Sequence, residues 1–193
     1  MLTFTLRVEG QIFHVIIGGV KLLKGLSLDE VLKEIAKLEE RGIFVTLVRS
    51  LCVAGWRHLL LSSRRALYSY VNKRMISRKL TIELLLYASG TRQIERALKM
   101  IAPKEGEKEI ALIIIGKKGH DVKDAFCHLL ELMKGVEDDN LLSIDERKAS
   151  HLSKLFSISA AELQASRIKG TESLSELIEK LVLSRVALLD LYK

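Results

Sequence analysis

Few residues of this 193-residue chain have the type and spacing that chemistry requires. Its five histidines are His14, His58, His120, His128 and His151, and no two stand at a metal-binding interval. Cys127 and His128 are adjacent, which on a helix points them about 100° apart. Cys52 and Cys127 form neither a CxxC pair nor a disulfide framework. The phosphate cradles GxGxxG and GxxxxGK[ST] are both absent, and Gly18-Gly19 reads as a strand end. Catalysis needs converging titratable groups, and the apolar runs here hold few. We therefore expect no catalytic residue, no metal ligand and no cofactor.

Charge is more informative. Between Arg49 and Ile101 the chain carries eleven bases: Arg49, Arg57, Arg64, Arg65, Lys73, Arg74, Arg78, Lys79, Arg92, Arg96 and Lys99. Only Glu83 and Glu95 oppose them, so this stretch accounts for +9 against a whole-chain net charge of +7. A merely solvated helix face usually mixes signs. An uncompensated block of bases is the footprint of a polyanion partner. One further segment, Ile115-Gly-Lys-Lys-Gly-His-Asp-Val122, matches the I-G-x-x-G-x-x-[IV] loop by which KH domains approach nucleic-acid phosphates. It follows the strand-like run EIALIII, however, so it reads first as a strand-to-helix turn with glycine at positive φ.

These residues need elements to hold them. Thr3–Val8 alternates, Glu9-Gly10-Gln11 turns and Ile12–Ile17 is apolar, which predicts a hairpin. Ser27 and Glu30 have capping-box spacing before a helix that stops at Gly42. Ile43–Val48 reads as a strand. A long helix is predicted from Trp56 to about Ser77, a short one over Thr81–Ala88, and another after Ser89 or Thr91 with Ile94, Ala97, Leu98 and Ile101 on its core face. Glu109–Ile115 suits a sheet centre, and Asp121–Met133 a helix. After an acidic link, Glu137–Asn140, the tail is helical, with capping boxes at Ser159/Glu162 and Ser173/Glu176. Whether Ala187–Tyr192 continues as helix or turns to strand is not decided by its period. The order implies an α+β fold: one domain over residues 1–193, a small, mainly antiparallel sheet covered by helices, with a helical C-terminal part from about 141. The last helix also carries a surplus of apolar residues. Beyond the stripe Leu174, Leu177, Ile178 and Leu181, the residues Val182, Leu183, Val186 and Leu189 widen the apolar arc; Val182, Val186 and Leu189 are candidate contacts for a protein partner, the alternative being a helix buried on several sides within this one domain.

Hydrophobic residues make up 48% of the chain, yet no run approaches the ~18–20 residues that cross a bilayer. The first residues, MLTFTLRVEG, lack the order of a signal peptide, so a cytoplasmic protein without a membrane partner is expected. Two Asn and three Gln are few, as in proteins from hot-living sources.

Three segments carry a family likeness: Gly55-Trp-Arg-His58-Leu59, Lys79-Leu-Thr-Ile-Glu83-Leu-Leu, and Tyr87-Ala-Ser-Gly-Thr-Arg-Gln-Ile-Glu-Arg-Ala-Leu98. With the strand Ile110–Ile115 and the ending Leu181-Val-Leu-Ser-Arg-Val-Ala-Leu-Leu-Asp190, the chain from about Arg41 onward resembles the archaeal-type kinase-binding subunit of the KEOPS complex. The first forty residues match that family only in element order. The resemblance implies a non-catalytic accessory subunit in tRNA N6-threonylcarbamoyladenosine modification. Such a subunit binds the small atypical kinase of the complex, meets the other subunits indirectly, and recruits tRNA by its single-stranded CCA end. On that reading Lys79, Arg92, Arg96 and Lys99 are the expected phosphate contacts, and Val182, Val186 and Leu189 the kinase contacts. Ile94 is either core or a base-stacking residue, with the core preferred, and Glu83 is expected to be structural. The alternative is a free-standing, KH-like RNA-binding module.

Overall fold

The computed structural model describes residues 1–167 and 172–192. Strand β1 (Leu2–Val8) turns through Glu9 and Gly10, both at positive φ (47° and 76°), into β2 (Gln11–Leu22). A two-residue turn of this hand matches the twist of the paired strands. The chain continues through α1 (Leu28–Glu40), β3 (Phe44–Arg49), α2 (Gly55–Val71), α3 (Leu80–Ser89) and α4 (Ile94–Ile101). It then forms β4 (Glu109–Gly116), α5 (Gly119–Leu132), β5 (Gly135–Glu137), α6 (Glu146–Leu155), α7 (Ala160–Ala165) and α8 (Leu174–Leu188). A 3-10 turn, Leu189–Tyr192, ends the described chain, so its last residues are helical rather than a strand.

All strand pairs are antiparallel, in the order β1-β2-β4-β3, with β5 beside the far end of β2. Strand β4 is central, as its unbroken apolar run demands. Alternation splits the sheet into two faces. Val15, Ile17, Ile113 and Ile115 pack under α2 and α3 with Leu59, Leu67, Leu84 and Tyr87. Ile16, Val45, Leu112 and Ile114 pack under α1 and α5 with Val31, Ile35, Val122 and Phe126. A third cluster, including Leu152, Phe156, Ile178 and Val182, joins α6 to α8. This is the expected α+β architecture with its helical C-terminal part.

The departures have local causes. Strand β2 runs through Gly18 and Gly19 instead of stopping there. A Cβ on Gly18 would lie 2.9 Å from the Phe126 ring, and one on Gly19 2.1 Å from the Asp138 carbonyl oxygen. The glycines admit α5 and the acidic link to the sheet. Part of that link pairs with β2 as β5, three residues too few for a period to reveal. Ser27 is the N-cap of α1 but its side chain makes no cap bond; Glu105 accepts the Leu28 N–H instead, at 2.9 Å. The boxes at Ser159/Glu162 and Ser173/Glu176 are both complete. Helix α2 ends six residues early because Lys73 takes a left-handed conformation, φ 54°. Neither Gly116 nor Gly119 has positive φ.

Candidate nucleic-acid and kinase interfaces

Three buried polar side chains and the half-buried Asp190 tie together the elements that display the basic residues. His58, fully buried on α2, accepts the Ala54 N–H at Nδ1 (3.2 Å), so its proton is on Nε2, which donates to the Ala88 carbonyl of α3 at 2.8 Å. Burial in the core pushes its pKa down to about 4. Glu83, also fully buried, accepts the N–H groups of Ile76 (2.9 Å) and Ser77 (3.0 Å). Tyr87 donates to Asp190 of the C-terminal turn at 2.5 Å and lies 2.8 Å from Ser69 of α2. Burial and the Asp190 carboxylate both raise the Tyr87 pKa, burial more. Arg65 of α2 completes the link to Asp190 at 3.1 Å. His58, Glu83, Tyr87 and Asp190 all belong to the segments that carry the family likeness, and their work is to fasten α2, α3 and the chain end.

The His58 pair has a consequence in pH. Its folded pKa lies below the unfolded value of 6.5, so the unfolded chain takes up the proton first. The stabilisation is complete above pH 6.5 and is lost as pH falls toward 4, a total of about 3 kcal/mol. Urea unfolding between pH 4 and 7 should show this slope, and His58→Gln should remove it. An identical slope in the variant would contradict the neutral, buried imidazole.

Glu83 fixes the loop between α2 and α3, where Lys73, Arg74 and Arg78 are exposed. Ser77 Oγ donates to the Lys79 carbonyl at 2.7 Å, and the Arg74 N–H to that of Ser69 at 2.8 Å, so the loop is braced from within. Among the described residues, Arg64, Lys73, Arg74, Arg78, Arg92 and Arg96 have no acidic partner within 4 Å, unlike Arg57, Arg65, Lys79 and Lys99. The structure therefore divides the four expected phosphate contacts. Arg96 and Lys99 lie on α4 and line an open groove with Arg49, Ile94 and Leu155. Lys99 is paired to Glu95 at 2.7 Å. Arg92 is exposed but precedes α4, whose N-cap is Gln93, so helical spacing does not relate it to Arg96. Lys79 is apart from this groove: it caps α3, pairs with Glu39 at 2.9 Å and borders an apolar groove with Leu32 and Leu98. Ile94 is not core. It is 41% exposed, because α4 buries only Ala97 and Ile101. The loop bases were the ones sequence reasoning passed over; the signal for them was an acid, Glu83, inside an otherwise basic stretch.

The C-terminal helix requires a correction. Val182 and Val186 are fully buried and Leu189 is 4% exposed. Val182 belongs to the α6–α8 cluster, and Val186 and Leu189 to the sheet's main cluster. The widened apolar arc faces this chain's own core on two sides, so these three side chains are enclosed and present nothing to a partner. The outward apolar residues are Leu174, Leu188 and Leu191, with Leu183 and Ala187 half-buried beside Leu61 of α2.

The KH-like segment joins β4 to α5, where a KH loop joins two helices. Among the described residues no three His, Cys, Asp or Glu could hold a metal ion, and no helix is long and apolar enough to cross a membrane. Cys52 is buried, its Sγ donating to the Met100 carbonyl at 3.4 Å with His151 Nε2 3.7 Å away, and burial raises the thiol pKa.

A family model described as kinase binding protein CGI-121 matches residues 28–190. The chain is also similar to the regulatory protein Cgi121 of Methanocaldococcus jannaschii, at 27% identity over 172 residues that take in 89% of this chain and 99% of that protein. The matched span starts with α1 and ends on Asp190, so the staple described above falls within it.

Proposed function

The chain belongs to the CGI-121 family of kinase-binding proteins, and from that premise we propose that it is a non-catalytic accessory subunit of the KEOPS complex. It binds the small kinase of that assembly and recruits tRNA through the CCA end for N6-threonylcarbamoyladenosine formation. The observation that carries the RNA half is the set of cations with no acidic partner within 4 Å among the described residues, three of them on a loop that the buried Glu83 holds in place. Cations not neutralised within the fold are free to displace counterions from phosphates. A loop already ordered loses little entropy on binding. Ile94, exposed beside Arg96, gives an unstacked base an apolar surface of the kind single-stranded RNA uses.

The kinase half rests on the family and on the outer face of α8. Leu183 and Ala187 form an apolar strip beside Leu61 of α2, Leu188 is exposed farther round the same helix, and stable interfaces bury about 800 Å² per partner around a few such anchors. Mixed with the small kinase of its own source, the chain is expected to co-elute as one complex. ATP turnover in the mixture should belong wholly to the kinase. Hydrolysis by this chain alone, or failure to co-elute, would overturn the proposal.

A further inference from the structure

Strand β3 ends the sheet, paired to β4 alone among the described residues. In an antiparallel ladder every second residue turns its N–H and C=O away from the neighbouring strand. Over Phe44–Val48 those outward groups take no hydrogen bond among the described residues. Thr46 reaches α3 by its hydroxyl instead, 3.4 Å from the Thr81 carbonyl. Yet Val45, Thr46 and Leu47 are only 2%, 4% and 6% exposed, and buried main-chain groups are nearly always paired. An apolar groove of about 430 Å³ touches all three residues. Their side chains point to alternate faces of the sheet, so a groove in reach of all three follows the strand's edge. One wall is α1, with Leu32 and Ala36; the other is α3 and α4, with Ile82 and Leu98. The ion pair of Glu39 with Lys79, at 2.9 Å, joins the two walls.

We propose that this groove takes a short extended segment of a partner protein, which adds to β3 as a further strand. The segment's main chain bonds the outward groups of β3, and its side chains pack on α1 from one face and on α3 and α4 from the other. Three strand residues span about 10 Å, so roughly three to five residues make the contact. Covered on both faces, these residues are apolar throughout, and β-branched types suit them best. Acidic flanks complement the chain's net charge of +7. A second copy joined edge to edge is not the occupant. Its own β3 lies recessed between its own helices, and two recessed edges cannot meet. The proposal stands apart from both the kinase and the tRNA readings and needs neither.

The test is calorimetric titration of the full chain with the acetylated, amidated peptide Glu-Val-Ile-Val-Glu. Two further versions carry N-methyl groups, one at both valines and one at the isoleucine. Charge and side chains are unchanged, but each version loses donors along one edge of the strand. One of them is expected to bind at least about tenfold more weakly, because it leaves buried carbonyls of β3 unpaired, and the other to bind as the unmodified peptide does. Ala36, Leu32 and Leu98 are exposed on the walls. Ala36→Trp should fill the groove, and Leu32→Glu/Leu98→Glu should charge it. Both variants should lose the peptide with an unchanged melting temperature. The proposal falls if the unmodified peptide does not bind, if both methylated versions bind as tightly as it does, or if the variants bind it as the parent does. A dimer of the parent that Ala36→Trp converts to monomer would make a second copy the occupant and overturn the assignment of a free segment.

Discussion

A single aspartate at Val182 is expected to unfold the chain, whereas one at Leu188 should leave it folded and detach it from its kinase. Val182 is sealed between α6 and α8 with Leu152, Phe156 and Ile178 as neighbours in the same cluster. An unpaired carboxylate placed there costs several kcal/mol through desolvation and overpacking, a large share of the ~5–15 kcal/mol that holds a domain folded. Val186→Asp should behave alike, since it lies in the main cluster beneath the sheet. Leu188 is 39% exposed, and its replacement should cost under about 1 kcal/mol. Circular dichroism melts and co-elution with the kinase read both effects. A folded Val182→Asp variant that lost only kinase binding would mean that α8 leaves the core to reach its partner. Loss of neither property in Leu188→Asp would remove this face of α8 from the interface.

The second large effect is electrostatic. Reversing Arg74, Arg78 and Arg96 to Glu should lower tRNA affinity more than about tenfold near 0.1 M salt. It should also reduce the slope of log affinity against log salt by about two, at ~0.7 per lost single-strand phosphate contact. All three are exposed and have no acidic partner within 4 Å among the described residues, so the melting temperature should hardly move. Lys79→Glu with Lys99→Glu is the control. Both lysines already sit against carboxylates, Glu39 and Glu95, so their reversal should weaken tRNA less than the arginine triple does. Filter binding across a salt series separates the two. Equal losses would show that the internal ion pairs open on binding.

The sequence made the scaffold readable wherever the period was long. The central strand showed as EIALIII, and two helix starts showed as capping boxes that are complete in the structure. It misled where a local signal competed with a distant one. Ser27 and Glu30 had the right spacing, but Glu105 took the cap from across the chain. Gly18-Gly19 looked like a strand end because close approach of Phe126 and Asp138 leaves no trace in the neighbouring residues. At the site, composition located the basic block, while pairing decided which bases are available, and pairing is tertiary. Lys79 meets an acid forty residues away. An arc of apolar residues on α8 signalled burial on more than one side, and only the packing against both α6 and the sheet distinguished that from a docking face.

The most direct test of the central claim compares binding of the isolated chain to intact tRNA and to the same tRNA trimmed of its CCA end. If the chain recruits tRNA by its single-stranded terminus, trimming should weaken binding at least about tenfold, because unstacked terminal bases supply contacts that a duplex face lacks. Equal affinity for the two would contradict that claim and reduce the basic surface to general phosphate attraction.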